Sequence, residues 1–228
     1  MTANKLLVLG TKLLTSTAIA RPAPTAFYYP GLMAQQFHDS AHFAFTEMLK
    51  GNLNVIQNEF KNLREVYKAN DYVPEENNFT LTQGSMQWIT FWNCGNPNEA
   101  VRKLCPRTTK LLETIHDLVS NTPFGSSYFL HSSPNTSIKP YTGFANITLK
   151  CHLPIFVPGE GFLRVGGKFA QWETGKLLVF DESFSHEMVN LDKEKSILVF
   201  DIWHPDLTKE ERGLLIKEYN TALKKHKK

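Results

Sequence analysis

Cysteine is scarce in this chain: three residues, Cys94, Cys105 and Cys151, among 228, with no CxxC spacing. An odd, widely spaced set supplies neither a disulfide framework nor a structural zinc site, and it points to reduced thiols in a cytoplasmic protein. No apolar run approaches the roughly 18 residues that span a bilayer, so no membrane is expected as a partner. Glycine-rich phosphate loops are missing too, because GGK at Gly166 lacks the spacing of either nucleotide fingerprint. There is no basic stripe interleaved with aromatics. The net charge of +3 comes from 25 basic and 22 acidic residues, partly from the terminal run Lys224, Lys225, Lys227 and Lys228, and nucleic acid is not expected as a partner. No internal repeat or low-complexity stretch is visible. The HxxxH pair His38 and His42 carries Asp39 where a zinc protease needs Glu, and reads as a surface helix. Sequons at Asn78, Asn135 and Asn146 are short enough to arise by chance.

What is present is apolar material: 42% hydrophobic and 12% aromatic residues, enough to close one core and too little for two. Residues 1–25 read as an arm, leader-like in its lysine, short apolar run and small residues near Ala20 but with that run interrupted by Lys12, and residues 26–228 as a single domain. From Leu32 to Ala69 apolar residues recur at three- and four-residue steps, which predicts helix, with a break at Gly51. A further helix is predicted from Thr108 through LLETIHDLV. After Gly125 the texture changes to short strands: SSYFLHS, NITLKCHLPIFV, GFLRVGGKFAQW, KLLVFD, HEMVNL and KSILVFDIWH. A last helix starts after Pro205, with Thr208 as cap and Glu211 as its capping-box partner. Helices followed by many short strands predict an α+β fold: a jelly-roll barrel with the N-terminal helices packed on one side and a C-terminal helix.

Strand alternation puts Ile147, Leu149, Cys151 and Leu153 on one face, and Thr148, Lys150 and His152 on the other. In KSILVFDIWH it groups Lys195 with Ile197, Val199 and Asp201. The tight DESFS loop delivers His186 to the start of its strand. If these polar groups face one barrel mouth, then Tyr141, Lys150, His152, His186 and Lys195 form a single cluster. Two buried ammonium groups lose several kcal/mol of solvation each unless something anionic or wet lies among them, so the cluster implies a small anionic ligand or a water-filled mouth.

At these residues the sequence resembles the aspartyl/asparaginyl β-hydroxylase family. The resemblance is carried by WETGKLLVFDESFSHEMVN, by ILVFDIWHPDLT and by KPYTG, with QWITFWNCG and CPRTTKLLE upstream. It implies a double-stranded β-helix, a cupin-like barrel, that uses Fe(II) and 2-oxoglutarate to hydroxylate Asp or Asn side chains. It also implies an iron site built from two histidines, with a cosubstrate site of two arginines and a third histidine. His186 matches one iron ligand and His152 the cosubstrate histidine. Tyr141 stands where the second iron ligand is expected, and Lys150 and Lys195 stand where the arginines are.

A lysine cannot grip a carboxylate with a planar fork, and a phenol ligates only after losing a proton with a pKa near ~10. Three readings follow, in this order. The first is a metal-free enzyme performing isomerisation, cyclisation, elimination or hydration on a small anionic or enolisable compound, with His186 or His152 as base, Tyr141 as acid and no cofactor. The second is an Fe(II)/2-oxoglutarate hydroxylase with a rearranged metal site on His186 with Tyr141 or His152. The third is a non-catalytic ligand-binding protein.

Overall fold

The computed structural model describes residues 20–67 and 81–226. The Asn78 sequon, Lys12 and the last two lysines lie outside them. Among the described residues, twelve strands form two antiparallel sheets. The larger contains β1 (Phe37–His38), β3 (Met86–Asn93), β4 (Asn96–Pro97), β5 (Ser127–Ser132), β7 (Thr148–Phe156), β10 (Leu178–Phe180) and β12 (Lys195–Trp203), in the order β1-β10-β7-β12-β5-β3-β4. The smaller contains β2 (Leu81–Gln83), β6 (Thr136–Tyr141), β8 (Gly161–Val165), β9 (Lys168–Ala170) and β11 (His186–Asn190), in the order β2-β6-β11-β8-β9. The two face each other as a double-stranded β-helix, and the helices cover the outside of the larger sheet. This is the expected α+β architecture. No helix among the described residues is long and apolar enough to cross a membrane.

The alternation read from the sequence separates two cores. Leu149, Cys151, Leu153 and Ile155 of β7, with Leu198, Phe200 and Ile202 of β12, pack outward against helices α1 (Phe45–Gly51), α2 (Leu53–Val66), α3 (Glu99–Leu104) and α4 (Pro106–Glu113). Ile197 and Val199 point the other way and fill the space between the sheets with Leu130, Leu163, Phe180 and Met188. Because β12 is central and covered on both faces, all of its residues are buried. Helix α5 (Lys209–His226) starts with the expected capping box: Glu211 N–H donates to Thr208 Oγ1 at 3.2 Å, and Thr208 N–H donates to Glu211 Oε2 at 2.8 Å.

Two helical expectations are corrected. Residues 32–44 are not helical: Phe37 and His38 form β1 against Phe180 and Val179, and Ser40–His42 is a single 3-10 turn. Phe37 packs into the inter-sheet core and Phe45 against the helical one, so their eight-residue spacing serves two cores instead of one helix face. His38 and His42 therefore share no helix. The helix expected to run to Val119 stops at Glu113, because the backbone beyond it bonds to β12: Val119 N–H donates to the Asp201 carbonyl at 2.9 Å, and Trp203 N–H to the Asp117 carbonyl at 2.8 Å.

The described part of the arm lies on the domain. Ala23 N–H donates to the Ser183 carbonyl at 2.8 Å and Thr25 N–H to the Gly143 carbonyl at 2.9 Å. Asn146 then clamps Tyr29 in both directions, accepting its N–H at 2.7 Å and donating to its carbonyl at 2.8 Å. Its amide is thus spent inside the fold.

Leu153 is fully buried between β7 and the helices. Leu153→Ala is expected to lower the unfolding free energy by about 2–5 kcal/mol with an unchanged denaturant slope, measured by urea titration.

Candidate active site at the barrel mouth

One end of the inter-sheet space gathers polar side chains from both sheets. Lys150 and His152 project inward from β7. Tyr141 ends β6, and His186 opens β11 directly opposite it in register. The Tyr141 and His186 rings lie 4.1 Å apart between centroids, and Phe180 meets His152 edge-on at 5.0 Å and His186 at 5.7 Å. These residues, with Trp88 and Tyr128, enclose a cavity of about 40 Å³. That is room for a few water molecules. His186 is also a wall of an outer recess of about 320 Å³ that it shares with Pro140, Arg164, Ser185 and Glu187.

The DESFS loop sets the orientation of His186. Asp181 folds it by accepting Ser183 N–H on its side chain at 2.9 Å and Phe184 N–H on its carbonyl at 3.3 Å. The Phe184 carbonyl then lies 2.9 Å from His186 Nδ1. A carbonyl only accepts, so Nδ1 carries the proton and Nε2 is left with a bare lone pair. That Nε2 is buried without a partner. Burial pushes the imidazole down to about 4. His152 has the opposite tautomer: Trp172 Nε1–H donates to its Nδ1 at 3.4 Å, leaving the proton on Nε2. Burial, then Lys150 and His186, push it down to about 3.

Lys150 carries the charge of the mouth. Its Nζ donates to Asp201 Oδ1 at 2.6 Å and lies 3.3 Å from Glu182 Oε2. Burial opposes this charge, but Asp201 and then Glu182 outweigh it and hold the ammonium well above its ordinary range. Asp201 in turn is raised by burial against the pull of Lys150, and its second oxygen accepts Ser126 N–H at 2.8 Å. Tyr141 leaves one edge at the surface while its phenol is raised by burial and by Glu182. Burial pushes Tyr128 up to about 12.

Four of the five cluster residues thus meet, and Lys195 does not. His152 pairs with Val199, and Lys195 lies four residues away along β12, about 13 Å. Lys195 sits opposite Ser132 at the other end of the barrel, and its Nζ donates to the Pro158 carbonyl at 3.4 Å. Burial lowers its pKa, with Asp192 and Glu160 opposing. The charge of Lys150 is balanced within the fold, because the protein supplies both counter-charges. Asp201 was legible as a partner: it shares the inward face of its strand, and antiparallel register places it against Lys150. Glu182 carried no comparable signal. Arg164 borders the recess and is held by Glu187 at 2.6 Å, across from it on β11.

Lys150→Met leaves two carboxylates without their cation and is expected to cost about 3–5 kcal/mol, while Lys150→Met with Asp201→Leu recovers most of that loss in urea titrations. His152 and His186 are neutral in the fold and titrate near 6.5 when unfolded, so the unfolded chain binds more protons between about pH 4 and 6.5. Stability therefore falls with decreasing pH through that window, by up to about 3 kcal/mol for each of the two, with His38 and His131 adding to it because both are pushed down to about 4. Urea midpoints measured from pH 7 to pH 4 are expected to show a shallower decline in His152→Gln and in His186→Gln.

The family model described as aspartyl/asparaginyl beta-hydroxylase matches residues 50–205. The chain is 32% identical over 191 residues to the aspartyl/asparaginyl beta-hydroxylases of Mus musculus and Homo sapiens, covering 81% of this chain and 25% of each of those proteins. It is 32% identical over 206 residues to aspartate beta-hydroxylase domain-containing protein 2 of Xenopus tropicalis, covering 84% of this chain and 53% of that protein. The chain thus spans from a quarter to about half the length of these curated relatives. With the family match extending over more than half of its residues, this chain belongs to the aspartyl/asparaginyl β-hydroxylase family.

Proposed function

We propose that this chain is an enzyme that uses the hydroxylase scaffold for proton transfer, without the family's iron, on a small enolisable compound at the barrel mouth beside His186 and Tyr141. The observation that carries the reading is the bare, buried Nε2 of His186 in ring contact with a protonated Tyr141. At neutral pH the imidazole is unprotonated and the phenol protonated, which are the starting states of a base and an acid acting on one substrate. His186 Nε2 takes a proton from the substrate, and the Tyr141 hydroxyl returns one. Arg164 at the recess offers a contact for an anionic group. Lys195 lies too far along β12 to touch the same small molecule, and Lys150 stays with its carboxylates as a fixed charge beside the acid.

The family's iron and 2-oxoglutarate fit these residues poorly. Tyr141 offers a phenol held in its protonated form, and a phenolate is a hard donor that favours ferric iron. His152 points a protonated Nε2, not a lone pair, because Trp172 occupies its Nδ1. A dicarboxylic acid also has to displace Asp201 and Glu182 from Lys150, and the inner cavity of about 40 Å³ does not hold it.

A second reading, iron-dependent hydroxylation, is favoured by one feature: an Nδ1–H anchored on a backbone carbonyl is also how a metal-ligating imidazole is held. Anaerobic Fe(II) titration with and without 2-oxoglutarate separates the two. The wild-type chain is expected to take up no stoichiometric iron, and Tyr141→His to bind it at least about tenfold more tightly. Stoichiometric iron with conversion of 2-oxoglutarate to succinate in the wild type overturns the proposal. In D₂O, a panel of small oxo acids followed by NMR is expected to include one whose acidic C–H exchanges in the presence of chelator, with the rate falling at least about 100-fold in His186→Ala.

A further inference from the structure

A cavity of about 840 Å³, far larger than the one in the barrel, lies outside the sheets where the chain leaves β1 for α1. It is bounded by Phe43–Met48, by the turn 114–117 after α4, and by the corner 204–206 after β12. Its volume is that of small-molecule sites. Phe43, Phe45, Met48 and Ile115 make an apolar floor, and Asp39, Asp117 and Asp206 stand around it. No lysine or arginine lines it.

The charges in this wall can be assigned from their partners. Asp117 is neutralised by Arg212, whose Nη1 lies 2.6 Å away. Asp39 and Asp206 are not: each accepts one backbone N–H, from Ala41 at 3.0 Å and from Met33 at 2.8 Å, and neither has a lysine or arginine partner among the described residues. The imidazoles of the wall do not supply the missing charge: His116 Nδ1 lies 3.1 Å from Asp117 Oδ1, and no ion pair joins His42 to Asp39 or Asp206 among the described residues. His204 accepts Asp206 N–H on Nδ1 at 3.2 Å, so its Nε2–H donates to the Met33 carbonyl at 3.2 Å and the ring is neutral. His38 lies edge-on to it at 5.8 Å with a buried Nε2 that has no partner, a poor setting for a second cation. The result is an apolar floor under an uncompensated negative rim.

We propose that this cavity binds a small aromatic amine, with its ammonium facing Asp39 and Asp206 and its ring on Phe43 and Phe45. Charge selects the sign of the ligand, and the phenyl faces reward both an aromatic ring and a cation close to it. This site is separate from the barrel mouth and does not depend on what His186 does.

The test is calorimetric titration of the whole chain with phenethylamine, phenylacetate and butylamine. Phenethylamine is expected to saturate with a dissociation constant on the order of a millimolar, the range a ligand of that size reaches, and phenylacetate to bind at least about tenfold more weakly. Butylamine, which keeps the charge but lacks the ring, is expected to be weaker as well. Asp39→Asn and Asp206→Asn should each weaken phenethylamine by about fivefold. Ala44→Trp, which fills the cavity, should abolish binding, and the two Asp variants keep the test intact if that one fails to fold. Amide shifts on titration are expected at Ala44, Met48 and Ile115 and not at Gly166. No saturation by about 50 mM, equal binding of phenylacetate, or shifts confined to the barrel mouth overturns the proposal.

Discussion

The ion cluster of Lys150 with Asp201 and Glu182 is the constraint on which the arrangement of the mouth depends. A buried ammonium is tolerated only beside its counter-charge, and here the nearer one lies directly across the ladder between β7 and β12. A slip of one residue turns Lys150 toward the helices and sets Phe200 or Ile202 into the charged mouth. The ion pair and the apolar alternation thus demand the same register. That register turns His152 inward toward Trp172 and Phe180, and Cys151 and Leu153 outward into the helical core.

What the sequence could reveal follows from how local each determinant is. The period of two in ITLKCHL and SILVFDI separates the two cores correctly because each strand is covered on both faces by different layers. The capping box at Thr208 is a four-residue pattern, and it forms as read. Residues 32–44 fail for the same reason in reverse: Phe37 and Phe45 keep helical spacing, but an edge-strand pairing with β10 decides the backbone of the first and helix packing that of the second. Alternation also says which face Lys195 occupies without saying how far along the barrel it lies. Depth comes from pairing with Ser132 and Val199 with His152, which is register between strands distant in sequence. The counter-charges were half-visible, since Asp201 shares that inward face, whereas Glu182 reaches Lys150 only because the loop after β10 folds back over the mouth.

The tautomers of the two histidines belong to a finer level still. Both are written as histidine on inward positions, yet one exposes a lone pair and the other a proton, because a carbonyl of the DESFS loop faces Nδ1 of His186 and an indole N–H faces Nδ1 of His152. Neither partner is adjacent to its histidine in the strand pattern. The ring proton of each of these two histidines is therefore placed by loop backbone or by a tryptophan from outside the strands.

The lysine at position 150 bears on the cosubstrate site that the family resemblance implies. A guidinium-type fork presents five N–H donors in a plane, so it can serve a structural carboxylate along one edge and an incoming one along the other. An ammonium has three donors around a compact charge, and with Asp201 and Glu182 both on Nζ little is left for a third carboxylate. The exchange of fork for point charge thus keeps the positive charge in the sequence while using it up in the fold. Tyr141 changes the same mouth from the opposite sheet by replacing an imidazole lone pair with a phenol that burial and Glu182 keep protonated. The two changes act in one direction: each removes a group able to accept or clamp an external ligand, while the bare Nε2 of His186 beside a protonated hydroxyl survives. Under the proposed function, that pair is what moves the proton.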